Sequence, residues 1–469
     1  MLTKFGTLIS ARLLEIGITS LSKQVVTKIC RTVHTASLIT EEGRFVQGSI
    51  TLADPHAPEN PPKLRRAHYP AFTSLKKPSA LTPEFFAKLA RAVDQWSGSI
   101  AAWGTSPAQI FAWGIVDQLV GMNTYLNRED EVGFTKPGLL TIVIDRPGDL
   151  TAYHGNLFLG ALRAQKIIRY ESEPFRSSII LKKLNSTLSP ISIAICNAVK
   201  AQVSADDLEV GMLDRLINSW ESTIARICIG LRRMGTGGAL IITPSPLLDL
   251  LSIGREFEYE RLAASLALEL LDSNYLAALE DQSVDIHAET VSVLSVLELD
   301  FARADAVDRK NELRGAVKLV TSLAAMDGAL LLSPDLRLMG FGVKTASGTD
   351  SIHVYEGDDF ENRGTKAKKV DLSLFGTRHA SMLRYCRIDT NAIGVVVSQD
   401  GHVRVMTTHE GNLIMWDRIQ LLRHQNFTSE TVKRYARKNK RNRTRNSSGD
   451  LGYSPMPKTL KELKIGKSV

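Results

Sequence analysis

The second half of the chain alternates amphipathic segments with short apolar runs, and this pattern constrains the fold most. Leu213–Met234 has helical spacing, and Ala239–Thr243 follows it as a buried strand. Two helical stretches, about Glu256–Leu279 and Val291–Ala324, precede further short strands, among them Ala329–Leu332 and Asn412–Trp416. Helices that alternate with buried strands are typical of α/β domains. We therefore predict an α/β fold, a mixed β-sheet flanked by helices, over residues 213–425.

Short apolar runs separated by tight turns dominate the region before residue 205. Leu139–Ile144, Leu150–Tyr153 and Leu157–Leu162 have the spacing of an antiparallel meander, and Arg44–Ala53 has the pattern of a further strand. We predict an α+β module over residues 36–205 that binds, senses or dimerises. Its sequence contains no catalytic constellation.

The two ends of the chain are basic. Residues 1–35 combine basic and apolar residues with one acid, Glu15, which is typical of a transit peptide and also of an amphipathic helix; we favour the helix because such helices are common. Eight lysines and arginines and no acid lie between Lys433 and Arg445, a surplus equal to the net charge of +8. We predict a disordered tail over residues 432–469 that either binds nucleic acid by counterion release or is solvated without a partner.

Composition narrows the class of protein. With 43% hydrophobic and 23% charged residues, the chain is not mainly disordered. No apolar run reaches the roughly 18–20 residues that span a bilayer, so we expect no membrane span. The four cysteines lie far apart without a CxxC pair, so a zinc site or disulfide scaffold is not expected and a cytoplasmic location is predicted.

Three short segments carry residues that suit phosphate and metal chemistry. They are Asp327-Gly328-Ala329 before a strand, Gly376-Thr377-Arg378-His379 at a helix start, and Ser398-Gln399-Asp400-Gly401 after a strand. Carboxylates at strand ends can hold Mg²⁺ or Mn²⁺, and Arg and His at a helix start can bind phosphate together with exposed amides. Each segment alone also has an ordinary explanation, such as a hairpin turn at Asp-Gly. Together they would suit a nucleoside triphosphate with a divalent metal ion.

With their flanking strands, these segments resemble the diadenylate cyclase (DAC, DisA-N-like) domain family over about Leu213 to Leu422. The family patterns are a GALIV-type strand, DGA, GTRHRAA, TDA and VVSEE; here they stand as Gly238-Ala239-Leu240-Ile241-Ile242, Asp327-Gly328-Ala329, Gly376-Thr377-Arg378-His379, Thr390-Asn391-Ala392 and Val396-Val397-Ser398. The VVSQDG ending looks closer to divergent DAC-related nucleotide sensors, which carry an extra N-terminal domain. Ala36-Ser37-Leu38, Glu41-Glu42-Gly43-Arg44 and Pro137–Ile168 look like that domain.

The resemblance implies a role for each matching residue. Asp327 and Asp400 would hold the metal ion, and they would be the catalytic pair if the protein is an active enzyme. The implied nucleotide-binding set is Asp327, Gly328, Ala329, Gly376, Thr377, Arg378, His379 and Ser398. Active members of the family pair face to face with one ATP each, so the resemblance also implies a homo-oligomer.

Three departures from the family pattern bear on catalysis. Ala380 stands where the family has the second Arg of RHR, Gln399 replaces the first Glu of SEE, and Asn391 replaces the Asp of TDA. Arg384 lies about 6 Å further along the helix and is a poor replacement. We expect a regulatory protein that binds ATP or an adenine dinucleotide. The alternatives are an active diadenylate cyclase, a nucleotidyltransferase that makes cyclic di-AMP from two ATP, and a nucleic-acid-associated protein that acts through its tail.

Overall fold

The chain forms two compact units. The computed structural model describes residues 1–55, 71–94, 97–117, 127–128, 139–201, 211–285, 293–345, 353–372 and 375–437. The first unit comprises Met1–Leu126, Asp130–Tyr170 and Arg423–Val469, and the second comprises Asn127–Glu129 and Glu171–Leu422. The mixed α/β class predicted from the sequence is confirmed.

The first unit is a mixed sheet covered by helices. Its strands follow the order β10-β9-β8-β7-β3-β5-β6-β4, and a two-stranded ribbon, β1-β2, lies apart from this sheet. The predicted meander is confirmed, because β7, β8 and β9 pair antiparallel in sequence order. The elements are α1 (Leu2–Glu15), α2 (Lys23–Ser37), β1 (Thr40–Glu41), β2 (Arg44–Phe45), β3 (Gly48–Leu52), β4 (Ala71–Ala80), α3 (Pro83–Ala92), β5 (Gly98–Ser106), β6 (Gln109–Asp117), β7 (Leu140–Arg146), β8 (Asp149–His154), β9 (Leu157–Arg163) and β10 (Lys166–Ile168).

The basic N-terminal segment forms the first two helices of this unit. Phe5, Ile9 and Leu13 recur every fourth residue, so they share one face of α1 and are buried in the core. Arg12 is buried as well, and its Nη1 donates to the carbonyl oxygens of Leu159 (3.1 Å) and Arg169 (2.8 Å). The basic and apolar residues of this segment therefore pack on their own domain.

The second unit contains a nine-stranded sheet. Its order is β12-β15-β14-β11-β17-β18-β19-β16, with β13 paired to β15. Its elements are α4 (Ser178–Lys200), α5 (Met212–Met234), β11 (Gly238–Ile242), β12 (Leu251–Ser252), β13 (Arg255–Tyr259), α6 (Arg261–Asp285), α7 (Val293–Ala324), β14 (Ala329–Leu332), β15 (Leu338–Thr345), β16 (Val354–Glu356), α8 (Gly357–Arg363), α9 (Thr377–Ile388), β17 (Ile393–Val397), β18 (Val403–His409) and β19 (Asn412–Trp416).

Two features of the second unit differ from the sequence-based expectation. Helix α4 packs in this unit's core, although the predicted boundary near residue 205 assigned it to the N-terminal module. The helix predicted from Glu256 begins only at Arg261, because residues 255–259 form β13 on the edge of the sheet. In that segment Phe257 and Tyr259 alternate with charged residues and stack on one another, which suits an edge strand.

Within the described residues, two helices of the second unit are long and apolar enough to cross a membrane, judged by length and composition alone. They are Ser178–Lys200 and Arg261–Asp281. Both contribute side chains to the same core, Leu184 and Leu188 from the first and Leu262 and Leu266 from the second. Packing in this core therefore accounts for part of their apolar character.

The beginning of the basic tail is helical. Residues 429–437 form a helix, and Val432 and Tyr435 pack against the core of the first unit. The disorder predicted from residue 432 is therefore wrong for its first six residues, because these two side chains give the segment an apolar face. The rest of the tail, residues 438–469, lies outside the described residues, as does its predicted contact with nucleic acid. All four cysteines are buried and free.

Candidate functional site

The three predicted segments meet at one cleft of about 790 Å³ in the second unit, which we call the Arg378 cleft. Its lining contains the whole implied nucleotide-binding set together with Gln399 and Asp400. The topology explains this meeting. Strands β11 and β14 are parallel and begin at this edge of the sheet, whereas antiparallel β17 ends there, with Gly238 opposite Val397.

Two glycines let the backbone and Arg378 approach closely at this edge. Gly328 has a φ of +106°, and a Cβ there would lie 2.5 Å from the carbonyl carbon of Gly342. Gly237 has a φ of +66°, and its Cβ would lie 2.8 Å from the carbonyl oxygen of Val397 and 3.0 Å from Nη1 of Arg378. The turn before β11 thus leaves room for the Arg378 guanidinium.

Helix α9 begins at the cleft with no side-chain cap. Its N-cap residue is Gly376, whose carbonyl oxygen accepts from the amides of His379 (3.1 Å) and Ala380 (3.3 Å). The amides of Thr377 and Arg378 have no such partner among the described residues. These two amides and the positive end of the helix dipole therefore face the cleft beside the Arg378 side chain.

His379 is buried and uncharged at neutral pH. Burial, with a contribution from the neighbouring Arg404, lowers the pKa of His379 to about 4. Nη1 of Arg404 lies 3.0 Å from Nε2 of His379. Because a guanidinium has only donors, Nε2 must accept and Nδ1 must carry the proton. His379 therefore adds no positive charge to the cleft and instead holds Arg404 in place.

Arg404 is a lining residue that the sequence reasoning missed. Its side chain is only 12% exposed, and its Nε lies 3.1 Å from Oδ1 of Asp417 in an ion pair whose geometry is not that of a hydrogen bond. Its guanidinium also lies over the ring of Phe375, 4.6 Å from the centroid. The cleft thus contains a second, immobilised guanidinium, although Ala380 stands where the resemblance led us to expect an arginine. Arg384, weighed as a replacement, is not part of the lining.

The sequence did contain a signal for Arg404. It stands between Val403 and Val405, which are buried in the core on one face of the sheet. Alternation along a strand places Arg404 on the opposite face, where α9 packs. An arginine between two buried valines, three residues after Gly401, therefore indicates a charged side chain near this edge of the sheet.

The two predicted metal-binding carboxylates have different surroundings. Asp327 is 86% exposed, and its Oδ2 lies 3.8 Å from Nζ of Lys344, which also lines the cleft. Asp400 lies in the β17–β18 turn and accepts a hydrogen bond from the Ser398 hydroxyl. Partial burial raises the pKa of Asp400, but the bond from Ser398 and the nearby His402 more than offset this and lower it overall. Asp400 is therefore ionised at neutral pH.

The carboxylates do not form a preformed metal cage. Among the described residues, no group of three or more His, Cys, Asp or Glu side chains is placed to hold a metal ion. Mg²⁺ needs less, because in nucleotide sites it binds through one or two carboxylates, substrate phosphates and water. The donor set therefore fits a metal ion that arrives with a phosphate ligand.

Comparison with known proteins bears on the first unit. A family model described as "Probable sensor domain DACNV" matches residues 19–117. The matched stretch therefore resembles a DAC-related sensor domain. It includes Glu41-Glu42-Gly43-Arg44, where Glu42 and Gly43 form the turn of the β1–β2 ribbon with positive φ and Glu42 pairs with Arg91. The meander at Pro137–Ile168 lies outside the match. No curated protein matches the chain.

Proposed function

We propose that the second unit binds ATP or an adenine dinucleotide in the Arg378 cleft and that the protein is a regulatory sensor. The observation that carries the proposal is the convergence of Asp327, Arg378 and Ser398 from three separate segments on one cavity, beside the unpredicted Arg404. A cavity of about 790 Å³ is within the range of small-molecule sites. The match of residues 19–117 to a sensor domain supports a regulatory role.

Each wall of the cleft has chemistry for one part of a nucleotide. Phosphate oxygens can accept hydrogen bonds from Arg378, from the Thr377 hydroxyl and from the amides at the start of α9. Lys344, on β15, adds a further positive charge. Phe375, a partly buried aromatic side chain of the lining, offers an apolar surface for a base. His379 acts through Arg404 and needs no contact with the ligand.

Asp327 is the residue that would bring Mg²⁺ or Mn²⁺ to the phosphates. Its exposed carboxylate is paired only loosely with Lys344, at 3.8 Å, so a metal ion can displace that contact at small cost. Asp400 is the second candidate ligand. When bound, the metal ion would neutralise phosphate charge.

The alternative function is cyclase activity, and Arg404 is the observation that favours it. Diadenylate cyclase chemistry needs positive charge near the reacting phosphates, and Arg404 restores one guanidinium of the two expected from RHR. It is, however, paired with Asp417, which offsets its charge. Gln399 also leaves one acid missing from SEE. We therefore place binding before catalysis.

Calorimetric titration of the full chain with ATP and with cyclic di-AMP, in Mg²⁺, tests both functions. We expect saturable binding that Arg378→Ala weakens at least about tenfold, because a charge-assisted phosphate contact is lost. Arg387→Ala is the matched control, since Arg387 is exposed on the same helix and does not line the cleft. Separation of the nucleotides after incubation with ATP reports cyclase activity. Equal affinities for parent and Arg378→Ala protein would show that the cleft is not the site.

A further inference from the structure

A second cavity, of about 590 Å³, lies at the other end of strand β17. We call it the Lys183 cavity. Four segments line it: helix α4, Pro244 after β11, the loop between α9 and β17, and the β18–β19 hairpin. Its polar lining consists of Lys182, Lys183, Ser186, Thr390, Asn391, Thr408, His409 and Glu410. None of these residues belongs to the Arg378 cleft.

The wall formed by α4 is positively charged. Ser186 lies four residues after Lys182 and three after Lys183, so each lysine neighbours it on the helix surface. Nζ of Lys183 donates to the carbonyl oxygen of Thr390, a neutral partner. In the described part of the chain, neither lysine forms an ion pair with a carboxylate. Burial lowers the pKa of Lys183 by more than the nearby Cys386 and Asp389 raise it.

Of the acids near this cavity, Asp389 is close enough to raise the pKa of Lys183, but less than burial lowers it. Asp389 is buried, and its Oδ2 accepts hydrogen bonds from the hydroxyls of Thr243 (2.8 Å) and Tyr385 (3.0 Å). Glu410 belongs to the lining, but it is 80% exposed and lies 3.7 Å from His409 at the tip of the hairpin. The lining therefore keeps an excess of positive charge at the α4 wall.

Asn391 leaves this excess unchanged, because its amide carries no charge. It stands where the resemblance places the aspartate of TDA, so an uncharged amide here replaces a carboxylate at the rim of the cavity. That segment does not line the Arg378 cleft, and the proposed nucleotide site gives it no role. Loss of this negative charge favours an anionic ligand beside Lys183.

We propose that the Lys183 cavity binds a small phosphate monoester with a polar remainder. Two ammonium groups match the double negative charge of a phosphate monoester, and lysine binds phosphate as a point charge without the planar geometry that arginine imposes. The hydroxyls, the Asn391 amide and Glu410 offer hydrogen bonds to hydroxyl groups on the remainder. A volume of about 590 Å³ holds a ligand of sugar-phosphate size.

Titration of the full chain with ribose 5-phosphate, inorganic phosphate, citrate and ribose tests this proposal. We expect saturable binding of ribose 5-phosphate, weaker binding of inorganic phosphate, and none of ribose. Asn391→Asp should weaken the binding of ribose 5-phosphate about tenfold, because it places a carboxylate near the bound phosphate. Lys183→Met should weaken it at least as much. Citrate binding as tight as that of ribose 5-phosphate would overturn the assignment to phosphate.

Controls separate this cavity from the Arg378 cleft and from folding effects. Lys183 also holds the Thr390 loop, so Asn391→Asp, at an exposed position, is the decisive variant. Asn311→Asp adds the same charge on α7, outside the cavity, and should change nothing. Arg378→Ala should leave ribose 5-phosphate binding intact whether or not nucleotides bind the cleft. Loss of binding in Arg378→Ala with full binding in Asn391→Asp would refute the second site.

Discussion

The two ends of strand β17 carry positively charged cavities that are built in different ways. At the Ser398 end, Arg404 is immobilised by His379, Asp417 and Phe375, and Arg378 lies over Gly237. At the Asn391 end, the charges are ammonium groups on flexible stems, and Lys182 is exposed. Rigid guanidinium groups favour one geometry, whereas ammonium groups adapt to several. We therefore expect ligand binding in the Arg378 cleft to require a close steric fit. Ligand binding in the Lys183 cavity should depend mainly on the negative charge of the ligand.

Substitution of Gly237 should have the largest effect on stability and on ATP binding, because a side chain there would collide with Val397 and Arg378. Gly235 and Gly237 have similar φ values, +69° and +66°, but a Cβ at Gly235 would meet nothing within 4 Å. Gly235→Ala should therefore cost about 1 kcal/mol, the penalty of the left-handed conformation alone. Gly237→Ala should cost about 3 kcal/mol because it also collides with Val397 and Arg378. Urea unfolding measures both losses.

The same pair of variants also reports on nucleotide binding. Gly237→Ala should abolish ATP binding in the Arg378 cleft, whereas Gly235→Ala should keep it. Ribose 5-phosphate binding should survive in both folded variants. Equal losses of stability for the two substitutions would show that Arg378 does not depend on the space at Gly237.

Arg404 tests the importance of a fixed guanidinium. Arg404→Gln should weaken ATP binding about thirtyfold, because a hydrogen bond from a charged donor to the phosphates typically contributes about 1.5–3 kcal/mol. Arg404→Lys keeps the charge but cannot reproduce the hydrogen bond to His379 and the ion pair with Asp417 in the same geometry, so it should restore only part of the affinity. Calorimetry with ATP distinguishes these outcomes. Full recovery in Arg404→Lys would mean that charge alone matters at this end of the strand.

The sequence predicted the parts of this region that depend on local pattern. Strands Ala329–Leu332 and Asn412–Trp416 were predicted with the bounds that the structure shows, because their apolar runs end at turn residues. The convergence of Asp327, Arg378 and Ser398 followed only from the resemblance, since no local pattern sets which strands are neighbours. Arg404 was missed because its position depends on the pairing of β18 with β17. The edge strand β13 was missed because the helical spacing of the following segment extends into it.

His379 provides a test by pH. Its pKa is about 4 in the folded protein, against 6.5 as the ordinary value, so between these values the unfolded chain binds more protons. The stability that His379 contributes is therefore present above pH 6.5 and is lost as the pH falls toward 4. We expect a loss of about 2 kcal/mol over this window, measured by urea unfolding.

His379→Gln is the matched control for this window. The variant lacks the imidazole, so its stability should fall less than that of the parent protein between pH 6.5 and 4. All other titrating groups are common to both proteins and cancel in the difference. Parallel pH profiles for the two proteins would contradict the neutral, buried state of His379 and its bond from Arg404.

Substitution of Asp327 should have the smallest effect on ATP affinity. Its dependence on metal ions should also distinguish the two cavities most clearly. If its carboxylate acts through a metal ion, Asp327→Asn should weaken ATP binding about threefold to tenfold in Mg²⁺ and have no effect in EDTA. The effect is modest because the substitution also frees Lys344 to approach the phosphates. Ribose 5-phosphate binding at Lys183 should be the same in Mg²⁺ and in EDTA, since we assign charge neutralisation there to two ammonium groups and not to a metal ion. Titrations in both buffers measure this, and an equal loss in Asp327→Asn with and without metal would assign Asp327 a direct contact with the ligand instead.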